Sequence, residues 1–348
     1  MTDVVTLGDI NVDILARVPH YPAPGGDSLA ERVSVRAGGS AANTSVVLSK
    51  FGLDVSIVAR VGRDLLGNYA LSDLRAAGVN LSGVQKDTEA MTGLVFAAVT
   101  PDGERTFFSC RGANASLVLD SEGAQVVQET KILHVSGYAL VESPQRDAAV
   151  RAMEVARRLG APVSVDLGVE VTTRAREDIL SLLSMVSMLF PNRAVAEWLT
   201  GKGSARESVE ALLTCGPELV GLKLREQGCL IGSADGIFGV PAFEVDPLDG
   251  TGAGDSFDAG LILGRIAGLR LRESALLANA LGALATTVTG AGNALPGPQM
   301  ALSFLKERDE ALVWEDWREG LGQVREYLAG RQQAEIGRGA QPGRVSTW

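Results

Sequence analysis

Residues 246 to 260, DPLDGTGAGDSFDAG, crowd glycine and aspartate in front of an apolar run, LILGRIAG. Gly252, Ala253 and Gly254 are expected to form a turn that feeds a helix starting near Asp255. Small residues let backbone N–H groups converge there, and the helix N-terminus adds a partial positive charge, so an anion such as phosphate can sit in the turn. An aspartate would repel that anion unless it takes the proton of a neutral hydroxyl that attacks the bound phosphoryl group. The combination points to phosphoryl transfer, with Asp255 as base and the 252–254 turn as anion hole. A plain tight turn with Asp255 as helix N-cap fits the same residues. Two other glycine motifs do not: no lysine follows Gly254 as a P-loop requires, and GDINVD, not G-x-G-x-x-G, follows the first strand.

Two further stretches carry polar groups suited to a ligand. In GDINVDIL, a strand period of two puts Asp9, Asn11 and Asp13 on one face and Ile10, Val12 and Ile14 on the other. Carboxylates and amides fix hydroxyl groups by directional hydrogen bonds, which suits a polyhydroxylated compound; a strand end emerging into solvent would look the same. In RAGGSAANTSVVLSKFG, Gly38 and Gly39 precede a helix with Asn43 in its first turn. Paired glycines permit close approach of a ligand or, equally, tight packing of the helix on a sheet.

The elements that must position these residues follow from hydrophobic periodicity. Short β-branched runs (VVTLGDI, VSIVARVG, ILHVSG, APVSVDLG, MLF, LVGLKL) alternate with longer helical patterns such as QRDAAVRAMEVARRLG. Alternation of this kind predicts right-handed βαβ units, hence a mainly parallel sheet with helices on both faces. Residues 14–36 and 92–109 break the rhythm with alternating strand patterns, the second turning at PDG, and are expected to form a small β-sheet extension or lid. The core is then 1–13, 37–91 and 110–310. Trp314, Trp317, Leu321, Val324 and Leu328 form a helical stripe within 311–330 that must be covered, and 331–348 is polar and glycine-rich, expected to be disordered.

Composition bounds the rest. With 348 residues and 46% hydrophobic content the chain fills a substantial core. A net charge of −10 without a basic block argues against nucleic acid, and no apolar stretch suits a membrane span or export signal. Three scattered cysteines and two distant histidines suggest neither disulfides nor zinc, so a reducing cytoplasm is expected.

Taken in order, GDINVD, AGGSAANTSVVLSKFG with VGRDLLGNYALSDLRAAGV, FPNRAVAEWLTG, DGTGAGDSFDAG and ANALGALATTVTGAG resemble the ribokinase-like, or PfkB, carbohydrate kinases over roughly residues 3–310. That resemblance implies a three-layer α/β/α, Rossmann-like core with a β lid, and ATP-dependent phosphorylation of a primary hydroxyl on a sugar-like molecule. It implies Asp255 as the base, Gly252, Ala253 and Gly254 as the anion hole, and Asn11, Asp13, Gly38, Gly39, Asn43 and Glu142 as acceptor ligands. Asn192, Lys223, Arg225, Gly228 and Asn279 would border Mg2+–ATP. Asp249, Thr251 and the segment from Ala291 to Asn293 match a monovalent-cation (K+) site, and many members dimerise through the lid.

The departures are specific. Where the family has a glutamate three positions after Asn192, assisting magnesium, this chain has Val195, and Glu197 would lie on another helix face. Where its nucleotide loop has glycine, this chain has Arg225, which either contacts phosphates or partly obstructs the site. The acceptor stays open among ribose, fructose, 2-keto-3-deoxygluconate, an inositol or a nucleoside, for which Tyr138, Phe107 or Phe108 would supply a platform. A sugar-binding regulatory protein with little turnover is the reading of another class, motivated by Val195 and Arg225.

Overall fold

The stretch from Val55 to Gly62 alternates between two hydrophobic clusters, Ile57, Ala59 and Val61 facing one and Val58 the other. A strand buried on both faces needs that pattern, and it recurs wherever the central sheet passes. The computed structural model describes residues 1–101, 105–174, 176–308 and 316–339. Its strands are β1 (Thr2–Leu7), β2 (Asn11–Arg17), β3 (Arg32–Gly38), β4 (Val55–Gly62), β5 (Val84–Asp87), β6 (Gly93–Val99), β7 (Arg105–Cys110), β8 (Thr130–Val135), β9 (Val163–Leu167), β10 (Met188–Pro191), β11 (Leu219–Lys223), β12 (Cys229–Ser233) and β13 (Gly236–Val240). Its α-helices are α1 (Ser40–Lys50), α2 (Leu65–Ala77), α3 (Ser121–Gln128), α4 (Gln145–Arg158), α5 (Arg176–Leu182), α6 (Arg193–Thr200), α7 (Ala205–Leu213), α8 (Ala253–Ala267), α9 (Leu271–Thr286), α10 (Pro298–Glu307) and α11 (Arg318–Gly339).

Nine strands form the main sheet in the order β13-β12-β11-β10-β9-β8-β1-β4-β5. From β11 to β5 every pairing is parallel, while β12 and β13 close the edge as antiparallel strands. Helices α1, α2, α8, α9, α10 and α11 cover one face and α3 to α7 the other, each layer with its own core. The three-layer α/β/α architecture with a separate small sheet is the one expected.

The small sheet has the order β3-β2-β6-β7, with β2 and β6 parallel and the outer pairs antiparallel. It corrects one expectation: GDINVDIL is not a single central strand. β1 ends at Leu7, and Gly8 bends the chain so closely past β8 that a side chain there would meet Ser136 Cβ at 2.7 Å. Asn11 and Asp13 therefore stand on a lid strand, β2, which begins three residues before the expected lid boundary at 14. The expected turn at PDG lies largely outside the described residues, since Asp102 and Gly103 are not among them.

The C-terminal stripe docks on its own domain. Leu321, Val324 and Leu328 are buried in the core shared with α9 and α10, and the Trp317 ring lies 6.5 Å from Phe238 with the Arg272 guanidinium 4.3 Å over its face. Trp314 is outside the described residues. The disordered tail expected from 331 is corrected in part, because α11 runs on to Gly339; residues 340–348 lie outside the described residues.

Candidate active site

Gly252 takes a left-handed conformation, φ 77°, and caps α8, which starts at Ala253. Asp255 is therefore in the helix's first turn and is not the cap, so the plain capping reading fails. In that turn the N–H groups of Gly254 and Asp255 have no carbonyl of their own helix to reach, and they meet the positive end of a fifteen-residue helix. The side chain of Asp255 is held from another layer: Asn43 Nδ2 on α1 donates to its Oδ2 at 2.7 Å. Gly292 N–H donates in turn to Asn43 Oδ1 at 3.3 Å, fixing the amide's orientation. Burial, then the neighbouring Asp166 charge, pushes Asp255 up to about 6, against the opposing pull of Asn43, Ser40 and Lys223. A carboxylate that titrates near neutral pH suits a general base.

Asp13 faces Asp255 from the lid. Burial first, then the charges of Asp255 and Asp249, push it up to about 6. Its carboxylate lies against Gly38, where a Cβ would run into Oδ2, and a Cβ on Gly39 would run into the Asp9 carbonyl. Gly38 thus leaves room for the Asp13 carboxylate on the neighbouring strand, and Gly39, at the start of α1, for the backbone of Asp9 and Ile10. A cleft of about 260 Å³ opens between these groups, lined by Asn11, Asp13, Gly39, Asn43, Thr251, Gly252 and Asp255.

Several lining residues were not foreseen. Arg111, Asp166 and Ser40 border the cleft, and so do Tyr138 and Phe107, two of the aromatic residues expected as a platform. Asp9, buried, accepts from Gln145 Nε2 at 2.8 Å and from Arg111 Nη2 at 3.2 Å, while Arg111 also bonds Gln145 and reaches Glu142 at 3.4 Å. Glu142 thus meets the cleft only through Arg111. Asn114 fixes Asn11 by a 2.8 Å bond to its Oδ1. Asp166 had a local signal, a charged residue near the end of an apolar strand; the others join through distant segments.

The opposite rim is built by the ends of β10 and β11. Asn192 caps α6, its Oδ1 accepting from Val195 N–H at 2.9 Å, and pairs its backbone with Lys223. Lys223 Nζ bonds Asp166 at 2.5 Å and Asp258 at 3.1 Å, beside Gly254. Burial opposes its charge, yet the two carboxylates outweigh it and raise its pKa. Glu170, beside Asp166, is pushed up to about 7 by burial and by that neighbour. Gly228, φ 86°, passes where a Cβ would run into the Val240 carbonyl. Arg225 adopts φ 55°, and no other described non-glycine residue has a positive φ.

Asp249 accepts from Thr251 N–H at 2.9 Å and Thr251 Oγ1 at 2.7 Å through one oxygen, and from Gly290 N–H at 2.9 Å through the other. It thereby ties the approach to the turn onto the loop leading to Ala291–Asn293. Asn279 donates to the Val240 and Pro241 carbonyls at 3.1 and 3.0 Å, away from the cleft lining. Val195 is fully buried in the core and Glu197 pairs with Arg193 at 2.8 Å. No group of three or more acidic, histidine or cysteine side chains that could hold a metal occurs among the described residues.

The sequence matches the family described as pfkB family carbohydrate kinase over residues 1–298. It is 33% identical over 321 residues to probable fructokinase-2 of Arabidopsis thaliana, covering 87% of this chain and 95% of that protein. It is 32% identical over 322 residues to fructokinase-1 of Zea mays, covering 87% and 98%. A putative ribokinase II from E. coli, solved in complex with ATP and Mg2+, superimposes with a TM-score of 0.80 at 23% identity over 88% of this chain and 100% of that one.

Proposed function

This chain belongs to the pfkB family of carbohydrate kinases, and from that premise we propose that it transfers the γ-phosphoryl group of ATP to a primary hydroxyl of a neutral sugar, fructose being the first acceptor to test. The observation that carries the reading is the 2.7 Å bond from Asn43 to Asp255 beside the first turn of α8, which aims a near-neutral carboxylate at an anion-binding helix end. The sugar's hydroxymethyl proton passes to Asp255, its oxygen attacks the γ-phosphorus in line, and the bond to the β-phosphate oxygen breaks to release ADP. Helix N–H groups of the 252–254 turn stabilise charge on the group in transit.

The acceptor lies against Asp13, Gly39 and Asn43. Asp13 and Asp255 face the acceptor from two sides of the cleft, while Asp9 and Asp166 are paired with Arg111 and Lys223, and this arrangement suits a neutral polyol. Magnesium would arrive on the nucleotide as part of the substrate, with Asn192 at the rim beside it. A potassium ion would sit near Asp249 and the 291–293 loop. The lid leaves Val33, Phe96 and Phe108 exposed, apolar surface that a second copy would cover in a homodimer. No described helix is long and apolar enough to cross a membrane, and the three free cysteines suit a reducing cytoplasm.

Nucleotide consumption with magnesium and potassium, across fructose, ribose, 2-keto-3-deoxygluconate, inositols and nucleosides, tests the proposal. Fructose-dependent turnover lost in Asp255→Asn is expected. Turnover on a nucleoside alone would move the acceptor to that class, and binding without turnover on every compound would overturn the kinase reading.

A further inference from the structure

Arg225 is the residue that the turn between β11 and β12 least easily accommodates. Its φ of 55° belongs to a region in which a side chain is strained and glycine is not. The conformation is imposed, not incidental. Leu224 N–H bonds the Gly228 carbonyl at 2.9 Å, Gln227 N–H the Leu224 carbonyl at 3.1 Å, and Gly228 N–H the Arg225 carbonyl at 2.9 Å, closing the turn around it. Strain kept in place by an over-determined loop directs attention to what the side chain does.

The charges nearby supply the answer. Lys223, beside Gly254, is spent on Asp166 and Asp258, and Arg111, on the cleft wall, on Asp9 and Glu142, so these two cations are committed to carboxylates. Arg225 is exposed and its guanidinium has no hydrogen-bond or ion-pair partner among the described residues. It opens the turn that follows β11, two residues beyond Lys223, and Lys223 Nζ itself borders Gly254 in the anion-binding turn. A polyphosphate entering this acidic site needs positive charge. The rim beside Asn192 adds no acidic side chain for a metal: Val195, three positions on, is fully buried and apolar, and the Asn192 amide oxygen is used as a cap.

We propose that Arg225 is a direct polyphosphate ligand, its planar guanidinium taking a share of the nucleotide's charge that would otherwise fall to magnesium, so that this chain binds nucleoside triphosphate with weakened dependence on the metal. The inference rests on the proposed kinase function and deepens it at the donor site.

Calorimetric titration of the full chain with ATP, AMP and adenosine, each with magnesium and with EDTA, tests it in the parent, Arg225→Gly and Arg225→Lys. In the parent, removing magnesium is expected to raise the Kd for ATP by less than about tenfold. Arg225→Gly, which relieves the strained backbone and so folds, should lose at least tenfold in metal-free ATP affinity while AMP and adenosine binding stay put, with Arg225→Lys between. Equal metal-free ATP affinity in parent and Arg225→Gly overturns the role of Arg225 and leaves the kinase reading intact. A folded parent that binds ATP under neither condition overturns both.

Discussion

Asn43 and Asp255, 212 residues apart, meet through a single 2.7 Å hydrogen bond that joins the first turn of α1 to the first turn of α8. The donor stabilises the carboxylate form and so limits how far burial raises Asp255 above the ordinary carboxylate range. Replacing Asn43 with Ala removes that donor, and Asn43→Asp places a second carboxylate against the first. Both should move the acid limb of the kcat/KM profile to higher pH, Asn43→Asp by a unit or more, with about a tenfold loss at pH 7. A pH–rate series on the three proteins reads the order directly; coincident limbs would separate Asn43 from the base.

Asp255→Asn should lower kcat by about a thousandfold or more, because the attacking hydroxyl keeps its proton, while sugar binding persists. The same change should stabilise the fold. Asp255 titrates at about 6 in the folded chain against 3.8 as reference, so the folded state binds its proton more tightly. That contribution is fully present below about 4 and is lost as pH rises through 6; above it the buried charge opposes folding. At pH 7.5 the neutral amide should gain about 1–2 kcal/mol, allowing for solvent in the open cleft. Thermal melts of parent and variant should therefore differ at pH 7.5 and converge near pH 4.

Much of this site is local and was legible in the sequence. The glycines at 252 and 254, with Asp255 after them, announce a helix end because backbone freedom and charge are properties of adjacent residues. The alternation of β-branched and helical runs likewise declares a parallel sheet. The period of two in GDINVDIL misled, since it cannot reveal that Gly8 breaks the strand and sends Asn11 and Asp13 into another sheet. Arg111, Gln145 and Asp9 belong to three separate segments, and their union depends on which strand ends the topology places side by side. The extension of α11 to Gly339 was hidden by glycines at 330, 337 and 339, although Gln332, Gln333, Ala334 and Glu335 between them favour a helix.

Gly38→Ala should act on the sugar and hardly on the nucleotide. A Cβ at this position runs into Asp13 Oδ2, and the carboxylate, being the end of a side chain, is what will move. Displacing an acceptor ligand by a fraction of an ångström is expected to raise the KM for sugar tenfold or more. Steady-state kinetics with each substrate varied in turn checks this; an increase confined to the KM for ATP would place Asp13 on the wrong side of the reaction.

Lys223→Met should be the most destabilising of these changes. Its ammonium neutralises Asp166 and the fully buried Asp258 at once, at 2.5 and 3.1 Å. Methionine fills similar volume but leaves Asp258, whose pKa burial already raises, without its counter-charge. Breaking a buried pair from one side typically costs about 3–5 kcal/mol. The cost should be pH-dependent, shrinking in acid as Asp258 takes up a proton. Adding Asp258→Asn removes the stranded charge, so the double variant should recover much of the stability. Urea titrations of the two single variants and the double variant close the cycle: recovery of stability in the double variant would show that Lys223 and Asp258 are coupled, whereas additive losses would mean that they are not.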